Sequence, residues 1–329
     1  MSVLVLFKLL AIFVIVAIGW IVGKLKWLNP PDSAADPART LANAAYYIFV
    51  PALLFRTTAR IVFQTMPWGT LVAVFMPMVV MLFAVYGVQR HGDRDGTRPV
   101  AAPAVRAISA VFGNTVQIGI PMAAALFGEA GLAIHLAIVS LHALVLLTLT
   151  TALVELDLAR AERRLGNADT HLASTLLATA RHTVIHPVVL PVLIGLAWNA
   201  LGLPVPEMAD EVLRTLGQAV VPLCLVLIGM SLAHYGVRGA ARAAVWLTAL
   251  KMLVLPALVL AVAHWGFGLA GVPLAVVVML AALPIGSNAL IFAQRYGTLE
   301  AETTTATVFS TLAFVVIAPL WLAVLSRLH

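Results

Sequence analysis

The chain has 329 residues, 62% of them hydrophobic and 10% charged, with a mean hydropathy of +1.03. A soluble domain carries roughly 25% charged residues to cover its surface, so this composition excludes a chain solvated on all sides and points to a single domain embedded in a lipid bilayer. The net charge of +6 comes from arginines and lysines in short loops between apolar runs, where they set topology, so nucleic acid is not the expected partner. The single cysteine, Cys224, lies inside an apolar run; disulfides are excluded, and neither a metal cluster nor a cofactor is expected.

Ten apolar segments are long enough to cross about 30 Å of hydrocarbon. They fall near 3–23, 40–59, 68–89, 104–127, 132–155, 182–201, 211–233, 241–265, 271–294 and 303–326. The first, within MSVLVLFKLLAIFVIVAIGWIVG, lacks the basic start and small-residue cleavage site of a signal peptide and reads as a spanning helix. With the N-terminus outside, fourteen of the twenty lysines and arginines fall on the cytoplasmic side and three, Arg60, Arg214 and Arg327, on the other. This bias predicts a multi-pass protein of the cell (inner) membrane with both termini extracytoplasmic and the longest loop, 156–181, inside.

Spans two and seven share a pattern, IFVPALLF with Pro51 and AVVPLCLV with Pro222, 171 residues apart. Spans four and nine share another, IGIPMAAALFG with Pro121 and AALPIGSNALIFA with Pro284, 163 apart. The offset falls by eight because the loop after span three is longer than the loop after span eight. Each half holds five spans, an odd number, so the second half must be inverted. The expected fold is all-α, ten transmembrane helices in a 5+5 inverted repeat: residues 1–155, a cytoplasmic loop 156–181, and residues 182–329.

Spans four and nine carry the chemistry. In AISAVFGNTVQIGIPMAAALFG, Pro121 removes a backbone donor and Gly113 and Gly119 weaken the helix around it. Asn114, Thr115 and Gln117 stand at a depth where unpaired polar groups are costly. Span nine repeats the arrangement with Pro284, Gly286, Ser287 and Asn288. Each could be a kinked helix whose polar groups pair with neighbours. Breaks at matching places in both halves, however, are the best sequence pointer to a transporter's binding site. The second half-helix after each break offers free N–H groups and a partial positive charge, which suits an anion. Irregular backbone at membrane depth is tolerated only inside protein or beside a water-filled cavity. The candidate substrate-binding residues are therefore Asn114, Gln117, Gly119, Pro121, Pro284, Gly286, Ser287 and Asn288.

The blocks FGNTVQIGIPMAAALFGEAG, VVPLCLVLIGMSLA and LAALPIGSNALIFAQRYG resemble the auxin efflux carrier family, in order and over essentially the whole chain. The resemblance implies a ten-helix fold in which spans four and nine cross at Pro121 and Pro284. It also implies a scaffold of spans one, two, six and seven, a transport domain of the rest, and a homodimer through the scaffold. Family members move organic carboxylates such as malate or malonate, and Asn114 and Asn288 match the asparagines expected to touch them. The long hydrophilic central loop of the plant branch is absent, so auxin specificity does not carry over.

Charges within the spans are few. Lys251 lies mid-span in span eight, and reads either as a fixed cation beside the crossing or as a lysine satisfied by backbone carbonyls. Arg56 reads as an interface anchor and Lys8 as a snorkelling side chain. His135 and His142 share a helix face; packing or interfacial hydrogen bonding is the plainer reading, proton carriage the other. Glu129, Glu155, Asp157, Glu300 and Glu302 sit at span ends, which suits an anionic substrate. An enzyme would need paired carboxylates, a Ser–His pair or an H-E-x-x-H motif, and none is present. The expectation is a secondary transporter of small organic anions. A sodium-coupled bile-acid-type symporter is the alternative, and an anion channel, which gives no reason for a repeat with matched breaks, a more distant one.

Overall fold

In the hydrocarbon core a chain must pair its backbone polar groups internally, which a helix does and an open strand does not. The computed structural model describes residues 3–28, 37–60, 67–92, 98–164, 185, 187, 189–235 and 241–328; the side chains of Lys8, Gln117, Pro121 and Cys224 lie outside the description. The described residues are helical, as expected: α1 (Val3–Leu25), α2 (Pro37–Ala59), α3 (Trp68–His91), α4 (Ala102–Val111), α5 (Ile120–Arg164), α6 (Val189–Ala200), α7 (Glu207–Tyr235), α8 (Ala241–Gly266), α9 (Gly271–Ala281), α10 (Ser287–Arg295) and α11 (Glu300–Leu325). Among them, five stretches are long and apolar enough to cross a membrane: Pro37–Ala59, Trp68–His91, Met122–Ala161, Ala241–Gly266 and Glu300–Leu325. The protein is therefore multi-pass.

Helix α11 shows how the bundle is solvated. It buries Thr303, Thr304, Thr305, Thr307, Ser310 and Thr311 and turns Leu312, Val315, Val316 and Leu320 outward. A helix in water would present the opposite faces. Four of these hydroxyls bond back along their own helix, Thr305 to Ala301 O, Thr307 to Thr303 O, and Ser310 and Thr311 to Thr307 O.

Proline leaves its mark in α8. Pro256 has no N–H for the carbonyl of Met252, four residues back, and the turn before it widens over Leu250–Val254. The indole N–H of Trp321 on α11 fills the gap, donating to Met252 O at 2.9 Å.

Two groups of helices pack within themselves. Helix α1 lies on α7 and α2 on α6, with α2 also touching α7. Glycines set these distances: a Cβ on Gly19 would stand 2.2 Å from Val226 O, and one on Gly195 would stand 2.0 Å from Thr58 Oγ1. Backbones that close require small residues, the usual solution where lipid gives helices no hydrophobic reason to associate. In the second group α4 lies on α3, α9 on α5 and α8, and α8 on α11. Its centre is apolar all round, with Leu274–Ala281 of α9 and every residue of α4 except Arg106 buried.

Ion pairs tie the helix ends together. Arg106 forks onto Glu302 at 2.7 and 2.9 Å and reaches Gln89 at 2.9 Å, joining α4 to α11 and α3. Arg56, expected as an interface anchor, instead forks onto Asp210 at 2.8 and 3.1 Å, and Arg60 joins the same carboxylate at 2.8 Å. Helix α5 is divided at Gly128, whose φ of 63° is open to glycine and rare for other residues. Beyond 155 it continues to Arg164, so the start of the expected loop is helical. Asp157 holds it there, accepting from Tyr86 at 2.7 Å and from Arg160 at 3.2 Å and pairing with Arg90.

Candidate transport site

Helix α4 stops at Val111 and Phe112 turns to extended backbone, with φ −78° and ψ 109°. Helix α9 stops at Ala281, and α10 starts after Gly286, extended at φ −78° and ψ 150°. The two extended stretches meet, antiparallel, with Gly113 opposite Ile285. Asn114 N–H donates to Pro284 O at 2.8 Å and Gly286 N–H to Phe112 O at 2.9 Å. Ile285 N–H turns to Ser310 Oγ of α11 at 3.0 Å. Backbone groups freed by the breaks are thereby paired, which their depth requires. The contact also explains a glycine: a Cβ on Gly286 would stand 2.7 Å from Gly113 O and 3.0 Å from Phe112 Cδ1.

The break in α9–α10 frees the carbonyl of Ala281, since Ile285 N–H points elsewhere. Lys251, fully buried, donates its ammonium to that oxygen. A cation at the carbonyl end of a helix opposes the negative end of its dipole. Lys251 lies beside the pairing, its Nζ 3.4 Å from where a Cβ on Gly113 would be.

Beside the pairing lies a cavity of about 40 Å³, room for one or two waters. Asn114, Thr115, His142, Gly286, Ser287 and Asn288 give it polar walls; Val50, Leu53, Val139 and Ile291 give it apolar ones. Helix α10 begins here, and the first N–H groups of a helix have no acceptor within it. A second cavity of about 550 Å³ is lined by Arg39, Asn43, Tyr46, Tyr47, Gln294 and Arg295, and shares Ile291 with the first. Asn288, Ile291 and Arg295 recur at helical spacing along one face of α10, which runs from the small cavity to the large one.

Of the residues singled out in the sequence, Asn114, Gly286, Ser287 and Asn288 are brought together around the small cavity, and Pro284 lends its carbonyl to the pairing. Gly119 serves packing: a Cβ there would stand 2.6 Å from His135 Nε2 and 2.8 Å from Leu283 Cδ1. The side chains of Gln117 and Pro121 lie outside the description. Lys251 is not among the residues lining the cavity. His135 Nε2 lies 2.8 Å from Thr115 O, holding the wide turn Thr115–Gly119. Thr115, already singled out in the sequence as a polar residue at the break, lines the cavity; the apolar wall from α2 and His142 line it although the sequence did not place them there. For His142 the available signal was its spacing from His135.

A multi-pass helical bundle with polar side chains gathered where two of its helices break has the make-up of a membrane transporter. The chain belongs to the family described as membrane transport protein, the auxin efflux carrier family, whose model it matches over residues 4–322. That family is one of transporters, not enzymes. No curated protein matches the chain.

Proposed function

We propose that the protein is a secondary carrier of small organic anions, mono- or dicarboxylates such as malate or malonate, moved by alternating access at the paired breaks. The observation that carries this reading is the small cavity itself. Asn114, Ser287 and Asn288 converge on it, a helix begins at it, and no carboxylate lines it among the described residues. Such walls offer hydrogen-bond donors and a partial positive charge to an anion, and no formal negative charge to a cation.

The ten-span 5+5 inverted repeat, crossing at 112–114 and 284–286, is part of the same proposal. Exchanging span one with six and span two with seven converts the packing of α1 on α7 into that of α6 on α2, and both are present. The same exchange converts α4 on α3 into α9 on α8. Both termini outside the cell membrane, and a homodimer through α1, α2, α6 and α7, complete it. The alternative is a sodium-coupled bile-acid-type symporter, in which freed carbonyls hold the metal ion. Here the freed Ala281 carbonyl is already taken by the Lys251 ammonium, which favours a carrier that needs no sodium.

The test is competition between matched acid and amide pairs in counterflow with reconstituted protein. Charge-assisted hydrogen bonds should let the carboxylate outcompete its amide by at least about tenfold, or ~1.4 kcal/mol. Equal inhibition by acid and amide would mean that the site reads shape and apolar surface, and the anion reading would have to go.

A further inference from the structure

His142 is 1% exposed, and neither of its ring nitrogens has a hydrogen-bond partner among the described residues. A neutral imidazole carries one N–H donor and one acceptor nitrogen, and both go unused here. Buried polar groups without partners are rare, and each one calls for a reason. The ring lies on the wall of the small cavity, with Asn114, Ser287 and Asn288 on the same lining.

His135, on the same helix, makes the contrast. It is equally buried, but its Nε2 meets the carbonyl of Thr115 and steadies the turn beside the break. His142 has no such duty. Its ring packs edge-to-face on Phe112, centroids 4.4 Å apart. Phe112 is the residue whose carbonyl accepts from Gly286, so the backbone pairing that places Asn114 also fixes the imidazole. The titratable groups near it are Lys251 and His135, both basic. An imidazole in that company is suited to meet a negative charge.

On the anion-carrier reading above, we infer that His142 is a substrate-binding residue: a ring N–H donates to the carboxylate of the bound anion, beside the amides of Asn114 and Asn288. The proposal gives the site a third polar arm, from α5, so that both halves of the chain and both sides of the cavity grip one ligand.

The experiment uses the purified full-length chain with malonate and malonamide as probes, read by thermal unfolding and by counterflow. Three forms are compared: wild type, His142→Phe, which keeps an aromatic ring on Phe112 but no N–H, and His142→Gln, which keeps a donor. Malonate should raise the melting temperature of the wild type and malonamide should not. His142→Phe without ligand should melt at least as high as the wild type, since it removes an unpartnered buried group, while its KM for malonate rises about tenfold or more. His142→Gln should stay within about threefold of the wild-type KM. A wild-type KM in His142→Phe would overturn the inference, and a lower melting temperature with unchanged KM would make His142 a packing residue. If His142→Phe does not accumulate, His142→Met against His142→Gln gives the same contrast, and equal KM values would sink it. If the wild type itself does not distinguish malonate from malonamide, the failure belongs to the anion reading and this inference falls with it.

Discussion

Gly286→Ala is the most direct strike at the paired breaks. The new methyl would stand 2.7 Å from Gly113 O, closer than real Cβ contacts come, and the obstacle is backbone, which cannot rotate aside. To make room, the stretches 112–114 and 284–286 must part, loosening hydrogen bonds of 2.8 and 2.9 Å. Overpacking a filled interior costs about 1–3 kcal/mol, and leaving one buried backbone group unpaired costs about 1–3 kcal/mol more. The two overlap, since moving the backbone relieves one by incurring the other, so the expected loss is about 2–4 kcal/mol, a fall of roughly 30- to 700-fold in the folded-to-unfolded ratio. Denaturant unfolding in micelles, followed by tryptophan fluorescence, measures the stability, and counterflow measures transport, which should be lost. Gly69→Ala on α3 is the control, because a Cβ there meets nothing within 4 Å. It should be neutral or up to ~1 kcal/mol stabilising. A Gly286→Ala protein that matched the wild type in both stability and transport would refute the pairing as the frame of the site.

Asn114→Ala and Asn288→Ala should each lower substrate affinity about tenfold or more, since a hydrogen bond to a charged group is worth roughly 1.5–3 kcal/mol; isothermal titration on folded mutants checks it, and wild-type affinity in both would remove these residues from the site. Lys251→Met strands the Ala281 carbonyl and should cost about 1–3 kcal/mol of stability, whereas a lysine without structural work would be replaced at no loss. Arg106→Gln leaves Glu302 buried without its partner and should cost about 3–5 kcal/mol, with much of the loss recovered in Arg106→Gln/Glu302→Gln; additive single and double mutants would show that the pair is not coupled. A cysteine replacing Ala168, after Cys224 is removed, should react with impermeant reagents only from the cytoplasmic side, and labelling of intact cells from outside would reverse the proposed orientation.

What could be read in advance was local. Pro284 announces a broken helix because a missing N–H and a ring clash act on the chain's own neighbours, and the polar residues beside it need a reason at that depth. Pro121 marks the irregular span but not the expected crossing point: the paired backbone lies at 112–114, where Gly113 meets Ile285, and position 121 falls in the first turn of α5. The all-helical, multi-pass class follows from composition and run length alone. What could not be read depends on partners distant in sequence. Whether Lys251 is a free cation or a cap on a carbonyl is decided by Ala281, thirty residues away. Arg56 finds its carboxylate 154 residues on. The continuation of α5 past 155 rests on Asp157, which meets Tyr86 and Arg90 of another helix. His142 looked like its neighbour His135 because both lie on one helical face, and only the cavity separates their environments.

The join at 112–114 and 284–286 is made of main chain against main chain. Apart from the bare Cα that Gly286 must supply, it asks nothing of the side chains on either strand. The residues that line the cavity at positions 114, 115, 287 and 288 hang from a main-chain join that their side chains do not make. On the proposed carrier reading, substitutions at those positions should change cargo preference one side chain at a time and leave the main-chain join as it is.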